Sequence, residues 1–146
     1  MAPVLTTPEQ TEPTKPAASV RTVARRTHGG ERISSEVAIA VGVAWFVCYT
    51  IGSALEPDSA RPVPVIGVVL GVALLFGILA TAAGLIARRR WGLTASLASA
   101  GVLVASSLAC PTTGHHTIGG WWFGQMLCAG ALVGISFVAL RRSMAP

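Results

Sequence analysis

Four long apolar runs, separated by short polar or basic stretches, organise this chain. The first, "VAIAVGVAWFVCYTIGSAL", lies between Glu36 and Glu56 and holds about 19 residues without a charge, close to the ~20 that a helix needs to cross a ~30 Å hydrocarbon core. The second, "PVPVIGVVLGVALLFGILATAAGLIA", is equally uncharged and long enough to cross with some tilt, its prolines fraying the start. Beyond Arg90 no formal charge appears before Arg141. That stretch of roughly 50 residues is too long for one crossing and suits two joined by a turn. "CPTTGHHTIGG" supplies the turn, because Pro111, Gly114, Gly119 and Gly120 break helices and the residues between are polar. The pattern predicts spans over residues 37–55, 62–87, 91–109 and 118–140. The expected fold is an all-α integral membrane protein, a bundle of four antiparallel transmembrane helices built as two hairpins. Its membrane domain covers residues 35–142, with residues 143–146 as a short C-terminal end.

Residues 1–34 follow another pattern. "MAPVLTTPEQTEPTKPAAS" is rich in Pro and Thr and has few large apolar side chains, so it cannot bury enough surface to offset its ordering entropy. A disordered cytoplasmic tail is expected. "VRTVARRTHGGER" then sets Arg21, Arg25, Arg26 and Arg32 close to the membrane, where each attracts anionic lipid by roughly 1 kcal/mol. Phosphorylation of the neighbouring Thr27, Ser34 or Ser35 would weaken that attraction. Residues 1–16 lack the basic patch and apolar run of a signal peptide. An alternative reading takes "GSA", Gly52 to Ala54, as a cleavage site before Leu55, which would leave three spans.

Composition agrees with the pattern. Hydrophobic residues make up 52% of the chain and charged ones 12%, against about 25% charged in soluble domains. The excess of 11 Lys+Arg over 6 Asp+Glu would suggest a polyanionic partner in a soluble chain. Here the arginines flank apolar runs and are not interleaved with aromatics for base stacking, so nucleic acid is not an expected partner. They read as topology signals. With a cytoplasmic N-terminus, Lys15, Arg21, Arg25, Arg26, Arg32, Arg88, Arg89, Arg90, Arg141 and Arg142 lie inside and Arg61 alone outside. Both termini are therefore expected in the cytoplasm, with "EPDSARPVP" and "CPTTGHHTIGG" facing out. Trp91 then falls at the inner interface and Trp121 and Trp122 at the outer one. The nine arginines on the inner side are candidate contacts for anionic headgroups. Ten arginines against one lysine suit a GC-rich genome, hence a bacterial plasma membrane.

Side chains capable of chemistry concentrate in the last turn. Cys110, His115 and His116 carry donors for zinc or copper. Adjacent histidines do not favour a compact tetrahedral site, however, and the run contains no carboxylate to orient an imidazole. Met126, Glu56 and Asp58 are the nearest sources of further ligands. The expectation is a solvated turn, with metal binding and pH sensing as alternatives and no cofactor. A bis-histidine haem site would need imidazoles inside the spans, and none is there. Cys48 and Cys128 fall near the midplane of the first and fourth spans, as small apolar packers or a disulfide if those helices are neighbours.

GxxxG pairs occur at Gly67 and Gly71, Gly120 and Gly124, and Gly130 and Gly134, and the third span carries Ala95, Ser99, Gly101 and Ala105 at similar spacing. Such positions let helices approach closely, within the chain or toward a membrane-protein partner or second copy. Trp45 and Tyr49, one turn apart, would pack against other helices or line a groove. Size and span count are similar to those of small multidrug transporters, which carry a carboxylate within the first helix. Here Glu36 stands at the edge of the span and the similarity ends. With no ionisable side chain inside any apolar run, ion-coupled transport is disfavoured, and no nucleophile, base and orienting group share a segment. The sequence points to a non-enzymatic accessory subunit or scaffold acting through helix contacts. The alternative is a transporter or channel component for a metal ion or small neutral solute, with an outward-facing Cys/His loop.

Overall fold

The computed structural model describes residues 32–58, 62–114 and 116–145. The expected disordered tail, with Arg21, Arg25 and Arg26, lies outside the described residues up to residue 31, as do Arg61 and His115. The described residues form four helices: α1 (Ser35–Leu55), α2 (Val65–Ile86), α3 (Arg90–Thr112) and α4 (Gly120–Met144). Each is long and apolar enough to cross a membrane, and no strand occurs among the described residues. The all-α, four-span architecture is as the pattern predicts.

The ends differ from expectation for local reasons. Ser34 starts α1, its hydroxyl accepting a 3.3 Å bond from the Val37 amide. Pro62 and Pro64 delay α2 to Val65, with Pro64 as its extended N-cap. α3 continues through Pro111 to Thr112, past the predicted end at 109. α4 runs on to Met144, its last turn carrying Arg141 and Arg142 beside the negative end of the helix dipole.

In the bundle α2 packs along α3, α3 along α4 and α4 along α1, while α1 and α2 meet only slightly. The ring is closed on three sides and loose on the fourth. Its composition is inverted relative to a soluble bundle. α3 has the lowest mean hydropathy, 1.7, and the largest buried share, whereas α2 has the highest, 2.6, and the smallest. Large apolar residues such as Phe46, Phe76, Leu127 and Phe137 face outward. The interior combines Val41, Leu93 and Leu132 with the hydroxyls of Thr81, Ser96, Ser99, Ser107 and Ser136. Lipid solvates apolar side chains as well as a core does, so small and hydrogen-bonding residues are the ones that gain by facing other helices.

Those hydroxyls join the helices. Buried Trp45 of α1 donates its indole N–H to Ser96 Oγ of α3 at 2.7 Å, and Ser96 Oγ is 2.7 Å from Ser136 Oγ of α4. Thr81 of α2 lies 3.5 Å from Ser99 of α3, each also bonding the carbonyl one turn back in its own helix. Trp45 thus fills the bundle interior, while Tyr49 is 49% exposed.

α2 and α3 are pinched together where they connect. A Cβ on Gly92 would stand 2.6 Å from the Gly84 carbonyl carbon, and one on Gly84 would overlap the Gly92 backbone. α2 ends in a Schellman turn, Arg88 N–H to Leu85 O at 3.0 Å and Arg89 N–H to Gly84 O at 2.9 Å, with Arg88 in the left-handed region at φ 52°. The Arg88 carbonyl then accepts the Ile33 amide at 2.9 Å, and Arg32 and Arg89 form an antiparallel bridge. Arg32, Arg88, Arg89 and Arg90 are gathered at one end of the bundle, together with Arg141, whose guanidinium lies 5.0 Å from the Phe137 ring centre, and Arg142. This is the basic end.

Of the GxxxG glycines, expected to pack within the chain or toward a partner, one sits tightly against a neighbouring helix of the chain. A Cβ on Gly124 would come 2.7 Å from Leu55 Cδ1. At Gly71, Gly101, Gly120, Gly130 and Gly134 it would meet nothing within 4 Å, and at Gly67 it meets Val63 and Pro64 of the preceding turn. The close approaches fall instead at Gly84 with Gly92, and at Gly77, where a Cβ would overlap the Ser99 hydroxyl. The reason is directional: Thr81 and Leu85 fix which face of α2 turns inward. Gly92→Ala should therefore destabilise the bundle by about 1–3 kcal/mol through overpacking. Gly71→Ala should be neutral or slightly stabilising, since Ala exceeds Gly in helix propensity by about 1 kcal/mol. Unfolding in mixed detergent of the two variants beside the parent chain checks both.

Candidate functional site

At the end opposite the arginines, the α1–α2 and α3–α4 connections come together. Glu56 follows the last residue of α1 and His116 precedes α4, and the two side chains meet, His116 Nε2 lying 3.6 Å from Glu56 Oε1. The imidazole side chain is 5% exposed and the carboxylate 44%. The Trp121 ring meets the imidazole edge-on at 5.3 Å between centroids, while its indole N–H donates to the Thr117 carbonyl at 3.0 Å. The expectation of a solvated turn is therefore corrected at His116. The stretch lacks a carboxylate of its own, and the other connection provides one.

A second tie sits just below. Proline has no amide hydrogen, so Pro111 cannot donate to the Ser107 carbonyl one turn back. The Trp122 indole N–H takes its place, reaching Ser107 O at 2.8 Å from α4. This explains how α3 continues through a proline that was expected to end it. The Ser107 hydroxyl bonds the Leu103 carbonyl at 3.0 Å and lies 3.4 Å from Gln125 Oε1. The polar side chain of α4 is thereby held against α3.

Two hollows open beneath these ties. One, of about 220 Å³, lies between α2 and α3 and is bordered by Glu56, Gly67, Gly71, Leu74, Ser106 and Cys110. Gly67 and Gly71 shape it by the side chains they lack: pinched together at Gly84 and Gly92, the two helices leave space here. The other, of about 140 Å³, is bordered by all four helices, with Cys48, Tyr49, Gly52, Leu103, Gln125 and Cys128 around it. Glu56 and Leu74 belong to both. Each is smaller than the ~300 Å³ at which drug-sized ligand pockets begin, which suits an ion or a small solute.

Of the residues singled out from sequence, His116 meets the Glu56 carboxylate, Cys110 borders a hollow that Glu56 also borders, and His115 lies outside the described residues. Among the described residues no three His, Cys, Asp or Glu side chains converge as metal ligands. Cys48 and Cys128 border the same hollow, and both are free thiols. The roles of Glu56 and Gln125 at this end depend on which helix faces oppose one another, which no local pattern discloses.

The chain matches no known protein family, no curated protein and no solved structure.

The Pro111–Trp122 relation can be tested as a cycle. Trp122→Phe should cost about 1–3 kcal/mol, the usual penalty for stranding a buried polar group. In a Pro111→Ala background the restored amide serves Ser107 O, so the same change should cost measurably less. Equal costs in the two backgrounds, by detergent unfolding, would show the two positions to be independent.

Proposed function

We propose that this small multi-pass membrane protein is a non-enzymatic accessory subunit or scaffold that acts through helix contacts with a partner or a second copy. The observation that carries this reading is a groove of about 340 Å³ between α1 and α4, with Val41 and Ala139 at its floor and Gly134 and Arg142 beside it. Gly130 stands one turn from Gly134, and neither would bring an added Cβ within 4 Å of another atom of the chain. A face that combines an unfilled groove with small residues lets a further helix approach closely. Interior hydroxyls bonded to one another or to their own helix support a packing role for the core.

The threading that accompanies this reading puts both termini in the cytoplasm of a bacterial plasma membrane, with the arginines against anionic headgroups. It rests on the positive-inside bias. A second reading, a transporter or channel component for an ion or small neutral solute, is favoured by the two hollows that share Glu56.

Three outcomes test these readings. Gly134→Leu should leave the bundle folded, because the position is open within the chain, yet reduce crosslinking to a partner or a second copy in native membranes by about tenfold or more, the effect of ~1.4 kcal/mol. Retained crosslinking would remove the α1–α4 groove from consideration. In a chain whose three native cysteines are replaced by alanine, a cysteine at position 58 should react with an impermeant maleimide from outside intact cells, and one at position 15 should not. Solute flux into liposomes carrying the purified chain alone would move the transporter reading to first place.

A further inference from the structure

All three cysteines of the chain border the two hollows, Cys110 the first and Cys48 and Cys128 the second. Cys48 and Cys128 each stand about 10 Å below the end of their helix at 1.5 Å per residue. They therefore stand at one depth on the wall of the same small unfilled space. Thiols that served packing alone would be covered by neighbouring side chains. These two are half-buried and border one hollow of about 140 Å³ that Glu56 also borders.

We propose that Cys48 and Cys128 form a two-coordinate site for a soft monovalent cation of the Cu(I) or Ag(I) class, reached past Glu56. Thiolate sulfur selects such ions. A structural zinc site takes four protein ligands, and among the described residues no third His, Cys, Asp or Glu joins the pair. A d¹⁰ monovalent ion accepts two sulfurs in a line. Charge fixes the stoichiometry: two thiolates on one monovalent ion would leave a net negative charge in the apolar interior, which is costly. The neutral product forms as M⁺ + 2 RSH → M(SR)(RSH) + H⁺. One S–H bond breaks, two metal–sulfur bonds form, the proton leaves through the hollow to water, and no oxidation state changes. The site is independent of the helix-contact reading.

The test is calorimetric titration of the reduced full-length chain in detergent with Ag⁺ after removal of the reductant, with proton release followed in parallel. The expected result is one tight Ag⁺ per chain and about one proton released. Cys48→Ala and Cys128→Ala should each weaken binding by more than about 100-fold, beyond the 10–100-fold that loss of an outer-shell partner causes. Cys110→Ala should stay within about tenfold of the parent chain, and Zn²⁺ should not compete. Cys48→Met, which keeps a soft donor, should recover most of the affinity lost in Cys48→Ala, and this separates loss of a ligand from loss of fold. Tight binding that survives either alanine change, weak binding by the parent chain, or failure of the methionine variant to recover affinity would overturn the site.

Discussion

The hydrogen-bond chain from Trp45 through Ser96 to Ser136 is the constraint on which the bundle depends. It joins α1, α3 and α4 near the middle of the hydrophobic thickness, where an unpaired indole N–H or hydroxyl finds no water. α1 and α3 are not adjacent along the ring, so the chain works as a diagonal brace. It sets the rotation of α1, because Trp45 must reach inward, and the rotation of α4, because Ser136 must meet Ser96. α3, with buried Gly92, Leu93, Ser96, Ser99, Ala100 and Ser107, is the axis against which the other helices are placed.

Once those rotations are fixed, the remaining features follow. Leu93 and Leu132 fill the space around the brace. The α2–α3 hairpin closes at Gly84 and Gly92 because only backbone occupies the crossing point. Pinched there, the pair leaves space at the other end, beside Gly67 and Gly71. The looseness between α1 and α2 leaves room for the second hollow, while at that end the Glu56–His116 contact joins the two connections and the Trp122–Ser107 bond ties α4 to α3. A helix pair braced at the centre, tight at one end and open at the other, is a physical basis for a small polar-mouthed cavity in an otherwise lipid-facing protein.

The residues that hold the fold are modest ones. A serine that bonds the carbonyl of its own preceding turn satisfies its hydroxyl without a partner helix, so Ser99 and Ser107 are tolerable in a lipid-facing helix and useful in a packed one. Their value comes from the second contact, to Thr81 or Gln125. Local sequence carries the first of these interactions and is silent on the second.

That division runs through the whole chain. Span number, approximate bounds and the all-helical class are legible in the sequence, because a bilayer requires ~20 uncharged residues and satisfies the backbone only within helices. The clustering of arginines at one end follows from the same pattern. The sequence also marked "ACPTTGHHTIGGWW" as the stretch richest in chemistry, but could not say that His116 would be buried against Glu56, which stands 60 residues earlier. It shows GxxxG pairs without distinguishing Gly124, where an added Cβ would meet Leu55, from Gly130 and Gly134, where it would meet nothing within 4 Å, and it does not single out Gly84 and Gly92. Length and hydropathy act along one helix and are set by the residues in it. The face that a uniformly apolar helix turns inward is set by a few hydroxyls, an indole and missing side chains on its neighbours, and so only the tertiary structure decides it.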